Sequence, residues 1–463
     1  MRATAVITAA VLLPLAGTAV AADDLLQVYD RARSADTELQ SARAEAGAAD
    51  ARYRQARGQL LPNISGSASY SQVSQEQRFE GTDGADAGFG GGGGNDDFQE
   101  QQSLALSLNQ PLFDWAAWQS KDAAAARGDA AERDLAAAEQ SLMVRTAQAY
   151  FDVLAARDDL EAAQRQQEVI ARQLDRADAA FESGLSPVTE RQEAQSELDG
   201  ARVDAITARN GLNRARDALR QLTGQAPAGL APLADTGPAS APEADVETWL
   251  ARAQSRSPAV AAARRAYAAA REDVDSQQGG HLPTVSLVGR IGESEQVVNF
   301  PVGGTSGEFD SITETRSVGI ELSLPIFSGG ATSAAVDEAR YQLEQARQDL
   351  IAARRQVTVD VRTAYDDVTA AAARIEALDA AIASGETAVE AARAGRQTGT
   401  RNILDVLEAE IELVRRRADR QQAWYDFFGA KLRLRQAAGI LGRDDLERVN
   451  ARLAKADTAT GQE

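Results

Sequence analysis

Residues 104–117 read "LALSLNQPLFDWAA" and residues 318–331 read "VGIELSLPIFSGGA". In the first, Leu104, Leu106 and Leu108 alternate with Ala105, Ser107 and Asn109. In the second, Val318, Ile320, Leu322 and Leu324 alternate with Gly319, Glu321 and Ser323. A period of two places one apolar and one polar face on each segment, which is the pattern of a strand. Pro111 and Pro325 end the alternation, because proline cannot donate to a ladder.

Working outward, the rest of the chain is duplicated as well. "ARGQLLPNISGSASYSQ" (56–72) matches "SQQGGHLPTVSLVGRIG" (276–292), and "VRTAQAYFDV" (144–153) matches "VRTAYDDV" (361–368). "SGLSPVTERQEA" (183–194) matches "TGTRNILDVLEA" (398–409), and "LRQLTG" (219–224) matches "LRQAAG" (434–439). The offset stays between 214 and 221, the signature of a tandem repeat. Each copy predicts a helix of some 35 residues, a strand–loop–strand unit, a very long helix, a glycine-containing break and another long helix. The boundaries are 23–62, 63–113 and 114–224 in repeat 1, and 248–283, 284–327 and 328–440 in repeat 2. Tips are expected near 183–189 and 397–402, with turns at Gly184 and Gly399. Residues 225–247 are a Pro/Ala/Gly linker and 441–463 a C-terminal segment, where Arg443, Asp444 and Asp445 read as tail charge. The loops 79–98 and 297–311 are glycine-rich and acidic and read as flexible and solvated.

The long helices carry a seam. Ala149, Val153, Ala156, Leu160, Ala163, Gln167, Ile170, Leu174, Ala177 and Phe181 step by four and three, and Val368, Ala371, Ile375, Leu378, Ile382, Gly385, Val389, Ala392 and Arg396 repeat the pattern. A sustained seven-residue period implies a left-handed coiled coil. From Asp114 to Glu182 is 69 residues, about 100 Å of helix. Such rods form an elongated wall.

Composition removes whole classes of function. The net charge of −20 disfavours nucleic acid, which needs clustered Lys and Arg. Without cysteine there is no disulfide, zinc–thiolate site, iron–sulfur cluster or lipidated N-terminal Cys. A lone His281, read as a surface or junction residue, builds neither a histidine metal site nor a triad. "GFGGGGG" lacks the Lys-Ser/Thr of a phosphate loop. No enzyme, cofactor or resident metal is expected. The N-terminus, with Arg2, an apolar run Ala5–Leu15 and Ala19-Val20-Ala21, reads as a secretory signal over 1–22. No other stretch approaches the ~20 apolar residues of a membrane helix, so any membrane crossing falls to the strands.

In this order, twice, these features resemble the TolC family of outer-membrane efflux proteins. The likeness rests on the paired "QLLP"/"GHLP" and "QPLF"/"LPIF" boundaries, the duplication and "GTRNILDVLEAE", and it covers nearly the whole mature chain. It implies a mixed α and β membrane protein. Three chains with four strands each share one 12-stranded transmembrane β-barrel, continued by an α-helical coiled-coil barrel in the periplasm of a Gram-negative bacterium. The linker and the C-terminal segment form an equatorial belt. It also implies a passive exit duct in the outer-membrane lipid, docked to a periplasmic adaptor and an inner-membrane pump of the RND or ABC type. The cargo is small toxic compounds or, alternatively, protein or peptide in type I secretion. A soluble coiled-coil scaffold leaves the two duplicated amphipathic hairpins unexplained.

In that family the helical tips close the duct and acids ring its entrance. The matching positions are Arg401, Asp405 and Glu408, with Ser186, Glu190 and Glu193 at the offset of 215. Four acids per chain give twelve carboxylates in a trimer. Arg401 is a gate ion-pair candidate with Glu190 or Asp405. The family more often has Asp at 408 and an aromatic at 396, where this chain has Glu408 and Arg396. A solvated helix edge is the other reading of these acids. Phe113, Trp115 and Trp118 read equally as an interfacial aromatic girdle or as packing at a strand–helix junction.

Overall fold

A computed structural model describes residues 22–77, 95–227, 229–234, 237–302, 305–398, 400–401 and 403–453. Residues 1–21, nearly all of the segment 1–22 read as a secretory signal, the turn residue Gly399 and the end of the tail lie outside the described residues. Two compact units divide the chain, one from the described parts of Met1–Arg43, Asp134–Val260 and Arg354–Glu463, the other from Ala44–Arg133 and Ala261–Ala353.

The second unit holds the sheet. Strands β1 (Asn63–Gln77), β2 (Asn95–Phe113), β3 (Thr284–Val302) and β4 (Thr305–Ser323) pair antiparallel in the order β1-β2-β3-β4. The two hairpins of the duplication thus join through β2 and β3. The strands outrun the expectation. Residues 297–302 and 305–311, read from composition as a flexible loop, continue the ladder to the pair Val302–Thr305, as does 95–98. Backbone pairing overrides glycine content here. Two glycines between pairing strands are themselves a hairpin signal.

At the foot of the sheet, helix α6 (Pro258–Gly279) packs against the start of helix α3 (Trp115–Glu182). A Cβ on Gly279 would lie 2.8 Å from the Ala116 backbone nitrogen, so only glycine admits this approach. The hydroxyls of Ser120 and Ser276 meet at 2.9 Å, Ser276 donates to the Ala116 carbonyl at 3.0 Å, and Arg127 pairs with Asp273.

The first unit is built on helices. The predicted first helix is two, α1 (Leu25–Ala35) and α2 (Thr37–Gly58), because Asp36 caps the second by accepting from Leu39 N–H at 2.8 Å. Arg145 of α3 grips the same buried carboxylate at 3.1 and 3.2 Å. The second copy breaks alike between α5 (Val246–Arg256) and α6, because Ser257 precedes Pro258 and is steered from helical ψ. Helix α4 (Val188–Thr223) follows α3 at the first tip, and α7 (Ala331–Gln397) precedes α8 (Ile403–Ala437) at the second. Among the described residues none of these helices is long and apolar enough to cross a membrane.

The seam is buried or half-buried along its length in both copies, from Ala149 to Ala177 and from Val368 to Ala392. Its last positions are not: Phe181 and Arg396 are exposed. Phe181 instead stacks under the Arg191 guanidinium at 5.9 Å. Ile170, Leu198 and Ala201 form the contact between α3 and α4, joined by Leu174 and by Ile411 of α8.

Aromatics, only 5% of the chain, concentrate where α3 meets α8. Phe151 stacks on Tyr425 at 5.6 Å and on Phe428 at 6.3 Å, and Trp424 meets Phe427 edge-on at 5.6 Å. Tyr150 donates to the Ala231 carbonyl at 2.8 Å, fastening the linker to α3. Among the described residues before α5 the linker is held by isolated bridges, Leu230 to Asp23 and Leu233 to Leu453. Two of the three tail charges, Arg443 and Asp445, are structural. Asp445 is buried, accepts the Gly442 N–H at 3.0 Å and pairs with Arg435 at 2.6 Å, at the start of α9 (Arg443–Asn450). Arg443 forms a two-pronged bond to Asp30 at 2.6 and 2.8 Å. Sequence periodicity is blind to such fixing of a short helix.

Candidate functional site

Two regions hold the candidate site residues: the sheet of the second unit and the helical tips of the first.

In the ladder, residues paired across strands share a face. One face carries Ile64, Tyr70, Leu104, Leu106, Ile291, Val318, Ile320 and Leu322, all more than half exposed within the chain. The other is mostly Ser, Thr, Gly, Asn and Gln, with Val73, Ala105, Val288 and Phe309 among them and the Ser69 and Ser103 hydroxyls 2.8 Å apart. That is the outward-apolar, inward-polar arrangement of a membrane barrel wall.

The apolar band stops along a slanted line. Its unbroken run ends at Tyr70 on β1, Leu104 on β2, Ile291 on β3 and Val318 on β4. Tyr70 pairs with Gln102, Ile291 pairs with Leu106, and Val318 reaches Leu108 through Gly289. The boundary therefore steps two residues per strand. Two residues are about 6.7 Å along a strand, against ~4.8 Å across it, so a level boundary requires steeply tilted strands, as in a closed barrel. Beyond it the same face carries the charges Glu293, Glu295, Glu314 and Arg316, with Ile312 exposed among them.

Phe113, Trp115 and Trp118 sit below the band. Phe113 meets Trp118 edge-on at 5.4 Å, and Asp114 caps α3 through Ala117 N–H at 2.9 Å. Both tryptophans keep more than a third of their surface exposed. The trio packs at the junction and still offers indole to the surroundings.

At the first tip, Gly184 has φ +72°, the left-handed turn expected there, and Leu185 N–H bonds the Ala180 carbonyl at 2.8 Å. At the second, Thr400 N–H bonds the Gly395 carbonyl at 2.8 Å. Glu190 is the third residue of α4 and Asp405 the third of α8; Glu193 and Glu408 are the sixth of each. Glu190, Glu193 and Glu408 are exposed and Asp405 half-buried. Glu190 and Asp405 fall in first turns, where the helix dipole favours a carboxylate. Arg401 lays its aliphatic stem over Gly395, with Cγ 3.1 Å from where a Cβ would stand. Among the described residues no ion pair joins Arg401 to Glu190; the pairs formed near this end are Arg393–Glu410 at 2.7 Å and Arg191–Asp178 at 2.6 Å. The side chains of Leu404 and Leu407 lie outside what is described, whereas Val406, between them, is buried.

The sequence reading missed a groove between α3 and the α7–α8 pair. Its walls include Arg172, Arg176, Arg393 and Arg396. More than two hundred residues separate the two pairs in sequence, so only folding gathers them.

A family model described as "Outer membrane efflux protein" matches residues 28–225 and 249–440, one match per repeat with the linker between. The chain is 32% identical over 438 residues to outer membrane protein TolC of Vibrio cholerae, covering 94% of this chain and 95% of that one. It is 32% identical over 373 residues to the alkaline protease secretion protein AprF of Pseudomonas aeruginosa, covering 78% and 76%. The Campylobacter jejuni CmeC outer membrane channel shares the fold, with a TM-score of 0.73 at 18% identity over 95% of this chain and 91% of that one. The family match, together with the fold and the faces of the sheet, defines an outer-membrane channel. The chain belongs to the outer membrane efflux protein family, the TolC family, and works in the outer membrane of Gram-negative bacteria.

Proposed function

We propose that the protein is the homotrimeric, passive exit duct of an efflux system that exports small toxic compounds. One observation carries this reading: the four-stranded sheet ends in two unpaired edges, β1 and β4, and exposes a whole apolar face. Open edges within lipid leave backbone groups unsatisfied, so the sheet requires closure on further copies. Three copies make twelve strands. The linker and the C-terminal segment form the equatorial belt, and Phe113, Trp115 and Trp118 the interfacial girdle at the barrel base.

In this reading Glu190, Glu193, Asp405 and Glu408 ring the periplasmic mouth, and Arg401 reaches a carboxylate of a neighbouring protomer to hold it closed. A periplasmic adaptor docks at the tips, where Leu185 is exposed, and an acidic segment of it meets Arg176 and Arg396 in the groove, where Glu410 and Glu168 already hold Arg393 and Arg172. An RND- or ABC-type pump supplies energy and chooses the cargo.

A deletion strain tests the function: sensitivity to toxic compounds, restored by the gene, is the expected outcome. Unchanged sensitivity together with loss of a secreted protein favours the second reading, protein export, which the likeness to a protease secretion protein supports.

A further inference from the structure

The polar face of the sheet is almost free of charge, and its exceptions stand out. Among the described side chains it carries two ionisable groups, Arg290 on β3 and Glu321 on β4. Arg290 pairs in register with Ser107 on one side and Ser317 on the other. One step along the same face are Val288 and Gly292, and Gly292 pairs with Ala105. These neighbours are too small to cover a guanidinium, and Arg290 is exposed. It forms no ion pair within 4 Å among the described residues. Glu321 pairs with Ser286, four residues down the strand, about 13 Å away along it. That exceeds a Debye length of about 8 Å in physiological salt, so the two charges do not neutralise each other. Arg290 also stands beside Ile291, where the unbroken apolar run of β3 ends, and so lies at membrane depth. An ionisable residue kept at that depth marks an ion or substrate path.

We propose that Arg290 forms a cationic ring in the barrel lumen, three guanidinium groups in the trimer, that binds polyanions weakly in passage. The ring gives the barrel an anion-binding step apart from the acidic mouth. This rests on the trimeric barrel reading above. Its chemistry is that of spaced, fully charged guanidinium groups, each able to fork onto phosphate or carboxylate oxygens. Cargo carrying several such groups is held briefly before release, while neutral cargo passes unaffected.

The probe is inorganic tripolyphosphate, added to either side of purified trimers in planar bilayers at low salt. Block from the barrel side is expected, with the half-blocking concentration raised about tenfold in Arg290→Gln and little changed in Arg290→Lys. Equal block of wild type and Arg290→Gln overturns the proposal, as does block only from the tip side. The natural absence of cysteine separates this from failure of the barrel reading. In Arg290→Cys, a charged, membrane-impermeant thiol reagent lowers conductance if the side chain faces water; Leu106→Cys, on the apolar face, serves as the unreactive control. Labelling at 290 with no tripolyphosphate block defeats the ring alone, whereas labelling at 106 and not at 290 defeats the barrel assignment and the ring together. An SDS-resistant trimer in each variant shows that folding is intact.

Discussion

Gly439 lies so close to Arg256 that a Cβ on it would stand 2.5 Å from the Arg256 carbonyl oxygen. Its repeat counterpart, Gly224, faces Ala35 at 3.4 Å, an ordinary contact. Both have left-handed φ, +68° and +71°, and both close on the break between two N-terminal helices of their repeat. The fold uses one device twice, with much less slack in the second copy. Gly224→Ala should cost about 1–2 kcal/mol, the left-handed backbone alone. Gly439→Ala adds a backbone collision and should cost about 3–5 kcal/mol. Urea midpoints of the two variants check this; equal midpoints would contradict it.

Tyr150 fixes the linker. Its hydroxyl donates to the Ala231 carbonyl at 2.8 Å and approaches the Asp23 carbonyl at 3.2 Å, all within a buried region. Tyr150→Phe leaves those acceptors without the donor and should lower stability by about 1–2 kcal/mol. Tyr150→Ala also opens a cavity and should cost about 3–5 kcal/mol. Limited proteolysis in the linker should accelerate in the same order, and a linker equally resistant in all three proteins would rule out this anchoring role.

Asp158 of α3 accepts from the Tyr425 hydroxyl at 2.7 Å, and burial holds its carboxyl above the ordinary range. A carboxyl raised in the folded state binds its proton more tightly than in the unfolded chain, so ionisation opposes folding. The penalty is absent below the unfolded value near 4, grows as pH rises to the folded value, and is complete above it. Asp158→Asn keeps an acceptor for Tyr425 and removes the charge. The variant should therefore melt higher than wild type at pH 7, with the difference vanishing by pH 3.5; a variant less stable at pH 7 would refute the burial argument.

The duplication, the strand faces, the seam and the equivalent helix positions of the tip acids were legible because each rests on spacing along the chain. Ile291 and Val318 follow period two, and Val368 and Ile375 follow period seven, whatever lies far away. The missed features depend on distance in space. Asp445 read as tail charge because nothing nearby in sequence marks Arg435 and the Gly442 N–H as its partners. The arginine groove unites residues near 172–176 with 393–396. The strand ends failed for a third reason: glycine and acid content in 297–311 outweighed, on composition, a pairing that only the facing strand reveals.

Arg401 packs its stem over Gly395 and makes no ion pair with Glu190 in its own chain. If it holds the mouth closed across protomers, Arg401→Glu should raise open-channel conductance several-fold in planar bilayers, through like-charge repulsion. Unchanged conductance would remove Arg401 from the gate.

In the proposed duct the two tips of each chain contribute equivalent acids to one narrow mouth. The most direct test of this arrangement is the reversal potential of purified trimers across a potassium chloride gradient. Wild type should prefer cations, because a negative constriction attracts them. Neutralising Asp405 and Glu408 should remove part of that preference, neutralising Glu190 and Glu193 a further part, and all four most of it. Anion preference in wild type, or a reversal potential unmoved by the fourfold variant, would contradict the account.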